Sequence, residues 1–370
     1  MERYSELEYP EEILNILNDL ADIYSKYCET VVLYGSTSRN ELVYIEKNGK
    51  IDFVSDIEFI VIPRDNKNAN NKAFRKYLTK LSDDYFIDHP HVVRPPHIDV
   101  HPVSIEFFVH AQNRISTFEL KSTGIVIKGN PVIDMLPDVN AENYDGKIQN
   151  IEIIKNLKIL MIESNQWFLC SDNHSKEYER YFRSFLASSY LNILRTLLPQ
   201  FGIFEYAGSE RVKKVKAIAE YDKFQKYFTK ESIELFNSIY IQKKTADFSY
   251  SPEQLFNITY DSYKQLLEFL MEENSDEDLI TKIENHKEQL FDGSMSKIDL
   301  LAKLTKFFIA SLDNIKKLIN GDIVTNTDVD KMKELYDDLI CGERAYDVMN
   351  IINDYTRMER IRWDVIGSKA

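Results

Sequence analysis

Cysteine is scarce in these 370 residues: Cys28, Cys170 and Cys341 are odd in number and widely spaced, which excludes a disulfide framework and the paired spacings of a zinc site. All three read as reduced thiols. Long apolar runs are missing too. The longest stretch without a charged residue, Ser184 to Leu194, falls far short of the ~20 residues a membrane-spanning helix needs. The start, MERYSELEYPEE, is acidic where a secretory signal would be basic and then apolar, so a cytoplasmic protein with no membrane partner is expected. Positive charge is in deficit. With 46 Lys+Arg against 60 Asp+Glu the formal net charge is −14, which excludes a general coat for phosphate backbones. No internal repeat or low-complexity tract occurs. What is present is 44% hydrophobic and 12% aromatic residues, enough for a packed core, in a length that allows two domains.

The periodicity changes along the chain. Residues 11 to 27 place Ile13, Leu14, Ile16, Leu17, Leu20, Ile23 and Tyr24 on one helical face behind Pro10. Short β-branched or aromatic runs follow (VVLYGS, DIEFIVI, HIDVHPV, SIEFFVH, GIVIKG), separated by turn formers and mixed with a helical stretch at Asn71 to Leu81. After Asn140 the pattern is long and helical: Ile151 to Cys170, Glu177 to Leu198, Arg211 to Phe228, Pro252 to Met271, Asp278 to Phe291, Lys297 to Ile319, and Val329 through Arg362. The expected fold class is an α+β N-terminal domain, residues 1–140, followed by an all-α domain, residues 141–370. The boundary falls in the aperiodic segment Leu136 to Gly146.

One constellation carries chemistry. The apolar strand Val31 to Tyr34 runs into Gly35 and Ser36, and a second strand carries Asp56-Ile57-Glu58-Phe59. Residues two apart on a strand share a face, so Asp56 and Glu58 point together. Two adjacent carboxylates repel, and divalent cations relieve that repulsion; oxygen-rich sites suit Mg²⁺. Gly35 permits close backbone approach, and Ser36 offers an N–H and a hydroxyl to a phosphate. A two-metal site needs a third carboxylate. Asp99, in Ile98-Asp99-Val100, is preferred to Glu106, in Ser104-Ile105-Glu106-Phe107, because it arrives on the first apolar segment after the Pro95-Pro96 turn. In phosphoryl or nucleotidyl transfer two metals clamp the attacking and leaving oxygens, and an extra carboxylate takes the proton of the attacking hydroxyl.

These residues resemble the DNA-polymerase-β-like nucleotidyltransferase superfamily: Tyr34-Gly35-Ser36, then Asp56-Ile57-Glu58-Phe59, then Ile98-Asp99-Val100. Phe118 to Gly129 looks like the helix-to-strand passage that closes the catalytic domain in small antibiotic-type and polysaccharide-associated members. The resemblance covers about residues 11 to 137. It implies a mixed sheet with flanking helices, two Mg²⁺ ions on Asp56, Glu58 and Asp99, a nucleoside triphosphate (ATP first) held at Gly35 and Ser36, and transfer of a nucleoside monophosphate to a hydroxyl with release of pyrophosphate. The spacer departs from the pattern. Nineteen residues separate Ser36 from Asp56, and a β-hairpin around Asn48-Gly49 would absorb the excess. Asp52 shares the strand parity of Asp56 and Glu58 but lies near that turn.

Other features have a bland reading beside the functional one. His89, His91, His97 and His101 crowd together, but their proline neighbours point to loops more than to zinc. Arg180 and Arg183, and Arg211, Lys213 and Lys214, concentrate cations in the helical part; Arg211 and Lys214 are the candidates for binding the triphosphate, against a solvated helix face. Tyr181, Phe185 and Tyr190 read as core. The expected function is Mg²⁺-dependent nucleotidyl transfer to a small hydroxylated acceptor, aminoglycoside- or sugar-like, nucleic acid being disfavoured by the charge of −14. The alternatives are nucleotidylation of a protein or tRNA, and a catalytically silent nucleotide-binding module. A basic stripe would favour nucleic acid.

Overall fold

The computed structural model describes residues 2–95, 97–169, 174–273 and 275–340. Cys170, Cys341, Pro96 and the helical stretch expected beyond residue 340 lie outside the described residues; Cys28 is a buried free thiol. The chain divides into two compact units. The first comprises Met1–Tyr144 with Phe201–Lys214 and Tyr240–Asp247, the second Asp145–Gln200, Val215–Ile239 and Phe248–Ala370.

In the first unit the elements run α1 (Glu11–Ser25), β1 (Cys28–Tyr34), α2 (Gly35–Ser38), β2 (Tyr44–Lys47), β3 (Lys50–Phe53), β4 (Ile57–Pro63), α3 (Lys72–Asp88), β5 (Val92–Val93), β6 (Ile98–Pro102), α4 (Glu106–Val109), α5 (Ile115–Thr123) and β7 (Ile125–Lys128). Four strands form a mixed sheet in the order β6-β4-β1-β7, with β1 antiparallel to both β4 and β7, and β4 parallel to β6. Alternation along the strands feeds two cores. Val31, Leu33, Ile57, Phe59, Val61, Ile98 and Val100 pack on one face with Ile13, Leu17 and Leu20 of α1 and Leu78 and Phe86 of α3. Val32, Ile60 and Ile62 pack on the other with Phe108, Leu120 and Ile133. Tyr24 of α1 and Ser82 of α3 share a buried hydrogen bond, tying the two helices on the first face.

A smaller sheet, in the order β2-β3-β5, holds the long spacer. Lys47 pairs with Lys50 across the turn, and Asn48 (φ 54) and Gly49 (φ 67) both take left-handed backbone, the signature of a type I′ hairpin. The spacer between Ser36 and Asp56 therefore contains the hairpin expected around Asn48-Gly49. The segment SIEFFVH differs from the strand expected of it. Phe107 N–H donates to the Ser104 carbonyl and Phe108 N–H to that of Ile105, a single helical turn. Only Phe108 of that turn is buried, so there is no second apolar face for a strand to use.

The rest of the chain is helical: α6 (Gly146–Leu169), α7 (Lys176–Leu197), α8 (Gly208–Ile218), α9 (Asp222–Gln225), α10 (Lys230–Thr245), α11 (Pro252–Met271), α12 (Leu279–Asn285), α13 (Lys287–Leu290), α14 (Met295–Ile319) and α15 (Asn326–Ile340). The stretch expected as one helix from Arg211 to Phe228 breaks after Ile218. Helix α10 lies outside the helical stretches read from the periodicity. Within the second unit α7 packs on α11, and α14 on α6 and α15. Tyr263 Oη donates to the Ser189 carbonyl (2.9 Å) and Tyr260 Oη to that of Ile309 (3.0 Å), so these buried phenols find partners on neighbouring helices. Helix α11 starts in a capping box between Ser251 and Gln254. Tyr190 is core. Among the described residues no helix is long and apolar enough to cross a membrane.

Candidate functional site

The strand register assembles the acids. Glu58 stands opposite Tyr34 on antiparallel β1 and opposite Asp99 on parallel β6, which makes a row of three side chains across three strands. The same face of β4 is closed further along by the buried Ile60 and Ile62, so the acids occupy its open end. Asp56 precedes β4, and its Oδ1 accepts from the backbone N–H of His97 (3.2 Å), just ahead of β6. Gly35 has φ +74, and a Cβ built on it would lie 1.6 Å from Glu58 Oε2. A side chain at position 35 would have to displace the carboxylate, which is the physical reason a glycine ends β1 here.

Electrostatics follow from this crowding. Burial, then the charges of Glu58 and Asp99, push the Asp56 carboxyl up to about 8, against the smaller pull of the His97 N–H and Lys243. Burial and the neighbouring Glu58 and Asp99 raise the Tyr34 phenol well above its ordinary range. Asp99 Oδ1 is held by Arg75 Nη2 of α3 at 2.8 Å. His101, two residues along the strand from Asp99, is held below its ordinary value by burial and by Arg75, and its ring meets Tyr34 edge-on at 6.2 Å.

Two segments from later in the sequence complete the cluster within the first unit. Glu41 accepts from Arg39 Nε (2.9 Å) on one oxygen and from the backbone N–H of Gly208 (2.5 Å) on the other. The position of Gly208 also abuts the Tyr240 ring of α10. One turn further along α10, Lys243 feels Glu41, Arg39, Asp56 and Glu58; burial dominates and lowers its amine below the ordinary value. The cluster is thus three carboxylates met by Arg75 and Lys243, with the Arg39–Glu41 pair beside Lys243.

Of the residues singled out from sequence, the fold brings Gly35, Asp56, Glu58 and Asp99 together, with Ser36 in the following turn. Glu106 lies on α4, an exposed carboxylate lowered mainly by Ser104. Arg211 is buried and paired with Glu119 of α5, and its Nε donates to the Glu205 carbonyl (2.8 Å). Lys213 pairs at the surface with Glu210 (2.5 Å), and Lys214 is exposed. Arg180 and Arg183 belong to α7 in the second unit, where Arg183 is engaged by Glu179 and the Phe248 carbonyl. The four histidines do not form one group: His89 stacks on Tyr85 and meets His91 edge to face at 6.0 Å, His91 also meets Glu12 at 3.2 Å, the His97 backbone N–H goes to Asp56, and the His101 ring meets Tyr34. Asp52 is in the smaller sheet. Sequence reasoning missed Arg75, Arg39, Glu41 and Lys243; the only local signal is that Arg39 and Glu41 follow Gly35 closely.

Among the described residues no three His, Cys, Asp or Glu side chains already stand together as a metal-holding group. The donor chemistry nonetheless fits a divalent cation: three oxygen donors on one sheet face, mutually repelling, one of them retaining its proton near neutral pH. Comparison with protein families, characterised proteins and solved structures finds no match.

Proposed function

We propose that the first unit is a metal-dependent nucleotidyltransferase of the DNA-polymerase-β-like kind, which moves a nucleoside monophosphate from a nucleoside triphosphate to a hydroxyl. The observation that carries this reading is the pairing of Glu58 with Asp99 across adjacent parallel strands, with Asp56 beside them and Gly35 beneath the Glu58 carboxylate. Asp56, Glu58 and Asp99 would hold Mg²⁺, which when bound neutralises phosphate charge and polarises the reacting oxygens. Gly35 and Ser36 would receive the β- and γ-phosphates, and Lys243 and Arg39 would meet the remaining charge. Asp99 Oδ2, the oxygen not held by Arg75, would take the proton of the attacking hydroxyl. The oxygen–phosphorus bond forms as the α–β anhydride bond breaks, and pyrophosphate leaves.

Bulk charge ranks a small hydroxylated acceptor first. A macromolecular acceptor is the second reading, and one surface of the first unit favours it. The test of the shared reaction is a thermal shift and a labelled-transfer assay with each common ribonucleoside triphosphate and Mg²⁺ on wild type, Asp56→Asn and Glu58→Gln. Wild type should shift and transfer; both variants should fold and do neither. No shift with any of the four nucleotides, or variants that shift as wild type does, would sink the metal-site reading.

A further inference from the structure

One stretch of this acidic chain in the first unit is strongly cationic. Residues 64 to 80 hold Arg64, Lys67, Lys72, Arg75, Lys76 and Lys80 against Asp65 alone. Lys72, Lys76 and Lys80 repeat at four-residue spacing, about 6 Å apart along α3, and all three are exposed without an ion-pair partner among the described residues. The acids of α3, Asp83, Asp84 and Asp88, are confined to its C-terminal half. This distribution opposes the helix dipole, which favours anions at the N-terminus and cations at the C-terminus. Helix stability therefore does not explain it.

Aromatic rings lie beside the lysines. Tyr77 follows Lys76 and is 41% exposed; its ring meets that of Tyr27, 37% exposed, edge to face at 5.2 Å, with Phe74 stacked on Tyr77. Arg64 N–H donates to the Tyr27 carbonyl (3.1 Å) and its guanidinium to the Ser25 carbonyl (3.0 Å), so the backbone of Arg64 adjoins that of Tyr27. The face leads to the acid cluster, because Arg75, next to Lys76, holds Asp99. Cations that track phosphates and exposed rings that accept bases are the two components of a single-strand nucleic-acid surface, and a duplex leaves no unpaired base to stack.

We infer that the N-terminal half of α3, with Tyr27 and Arg64, binds single-stranded RNA and leads its end to the acid cluster as the hydroxyl acceptor. The acceptor role and the choice of RNA over DNA rest on the nucleotidyltransferase reading; the binding of a single strand at this surface does not. RNA is chosen over DNA because its terminal ribose offers two adjacent hydroxyls to the transfer.

The test is fluorescence anisotropy of a labelled single-stranded RNA 12-mer on the full-length protein, without metal or nucleotide, across a salt series. Single-stranded DNA, duplex RNA and anionic-lipid vesicles are parallel arms. Single-stranded RNA should bind tightest. The triple variant K72Q/K76Q/K80Q should flatten the log K against log salt slope by about 2, at roughly 0.7 per lost phosphate contact. Tyr77→Ala should weaken binding roughly tenfold with the slope unchanged. An unchanged slope in the triple variant, or equal or tighter binding of duplex or vesicles, overturns the surface, and equal or tighter binding of single-stranded DNA overturns its assignment to RNA. Labelled nucleotide with Mg²⁺ then separates the readings. Label on the RNA terminus supports the acceptor role; label only on a small hydroxylated acceptor overturns it and leaves nucleotidyl transfer standing. Label on neither overturns the acceptor role together with the transfer reading, while the anisotropy decides the surface by itself.

Discussion

Asp56 sets the pH behaviour of the metal-free protein. Its carboxyl titrates at about 8 in the folded chain, because burial and two neighbouring carboxylates oppose its ionisation, against about 3.9 in an unfolded chain. Between those values the folded state holds a proton that the unfolded state has released. The stabilisation is therefore complete below about pH 4 and is lost as pH rises through about 8. Without metal, the melting temperature of wild type should fall between pH 5 and pH 8 more than that of Asp56→Asn, whose amide has no charge to acquire. Parallel melting curves for the two proteins over that range would show that the acids do not crowd as described. Added Mg²⁺ should reduce the wild-type loss, since a cation supplies what the proton supplied.

At the scale of elements, one buried ion pair helps hold the segment Phe201–Lys214 on the first unit, beside the Gly208–Glu41 hydrogen bond. Arg211 of α8 and Glu119 of α5 are both nearly inaccessible and face each other. Breaking a buried pair strands one charge, at a cost of roughly 3–5 kcal/mol, whereas replacing both partners with apolar residues of similar volume is often close to neutral. Glu119→Ala should therefore destabilise far more than the double variant E119L/R211M, as read from denaturant midpoints with the slope held constant. Similar losses in both would mean the pair contributes through packing alone. The elements also show how far sequence reached. The alternation of Asp56 and Glu58 pointed to one shared site, although Asp56 stands just ahead of β4 and not on it; the apolar run around Asp99 was enough to give it a strand, and Asn48-Gly49 announced its own turn. Arg75 and Lys243 carried no such signal, because each reaches the acids through tertiary packing from a helix whose local pattern concerns only its own buried face. SIEFFVH misled for the converse reason: its residue types favour a strand, but only Phe108 of the turn it forms has a core to enter.

At the scale of the molecule, the first unit is not one stretch of sequence. Three of its acids, its glycine turn and its four-stranded sheet lie before residue 145, while Gly208, Arg211 and Lys243 come from two later segments. A fragment of residues 1–144 would leave Glu41 without the Gly208 N–H and Glu119 without Arg211. It should show weak near-ultraviolet circular dichroism and rapid proteolysis, and the fragment 1–247 should recover protease resistance in the first unit's segments. A 1–144 fragment that melts cooperatively and resists protease as the full chain does would show that the later segments are dispensable.

The same interleaving has a consequence in time. A chain made from its N-terminus presents the acid-bearing sheet first, and residue 247 follows residue 144 by about 100 residues, roughly 5–20 s of synthesis at 5–20 residues/s. For most of that interval Glu119 lacks Arg211, and throughout it the acid cluster lacks Lys243. The growing polypeptide is then at its most vulnerable to mispairing, and the cluster is complete only once the α10 segment has left the ribosome.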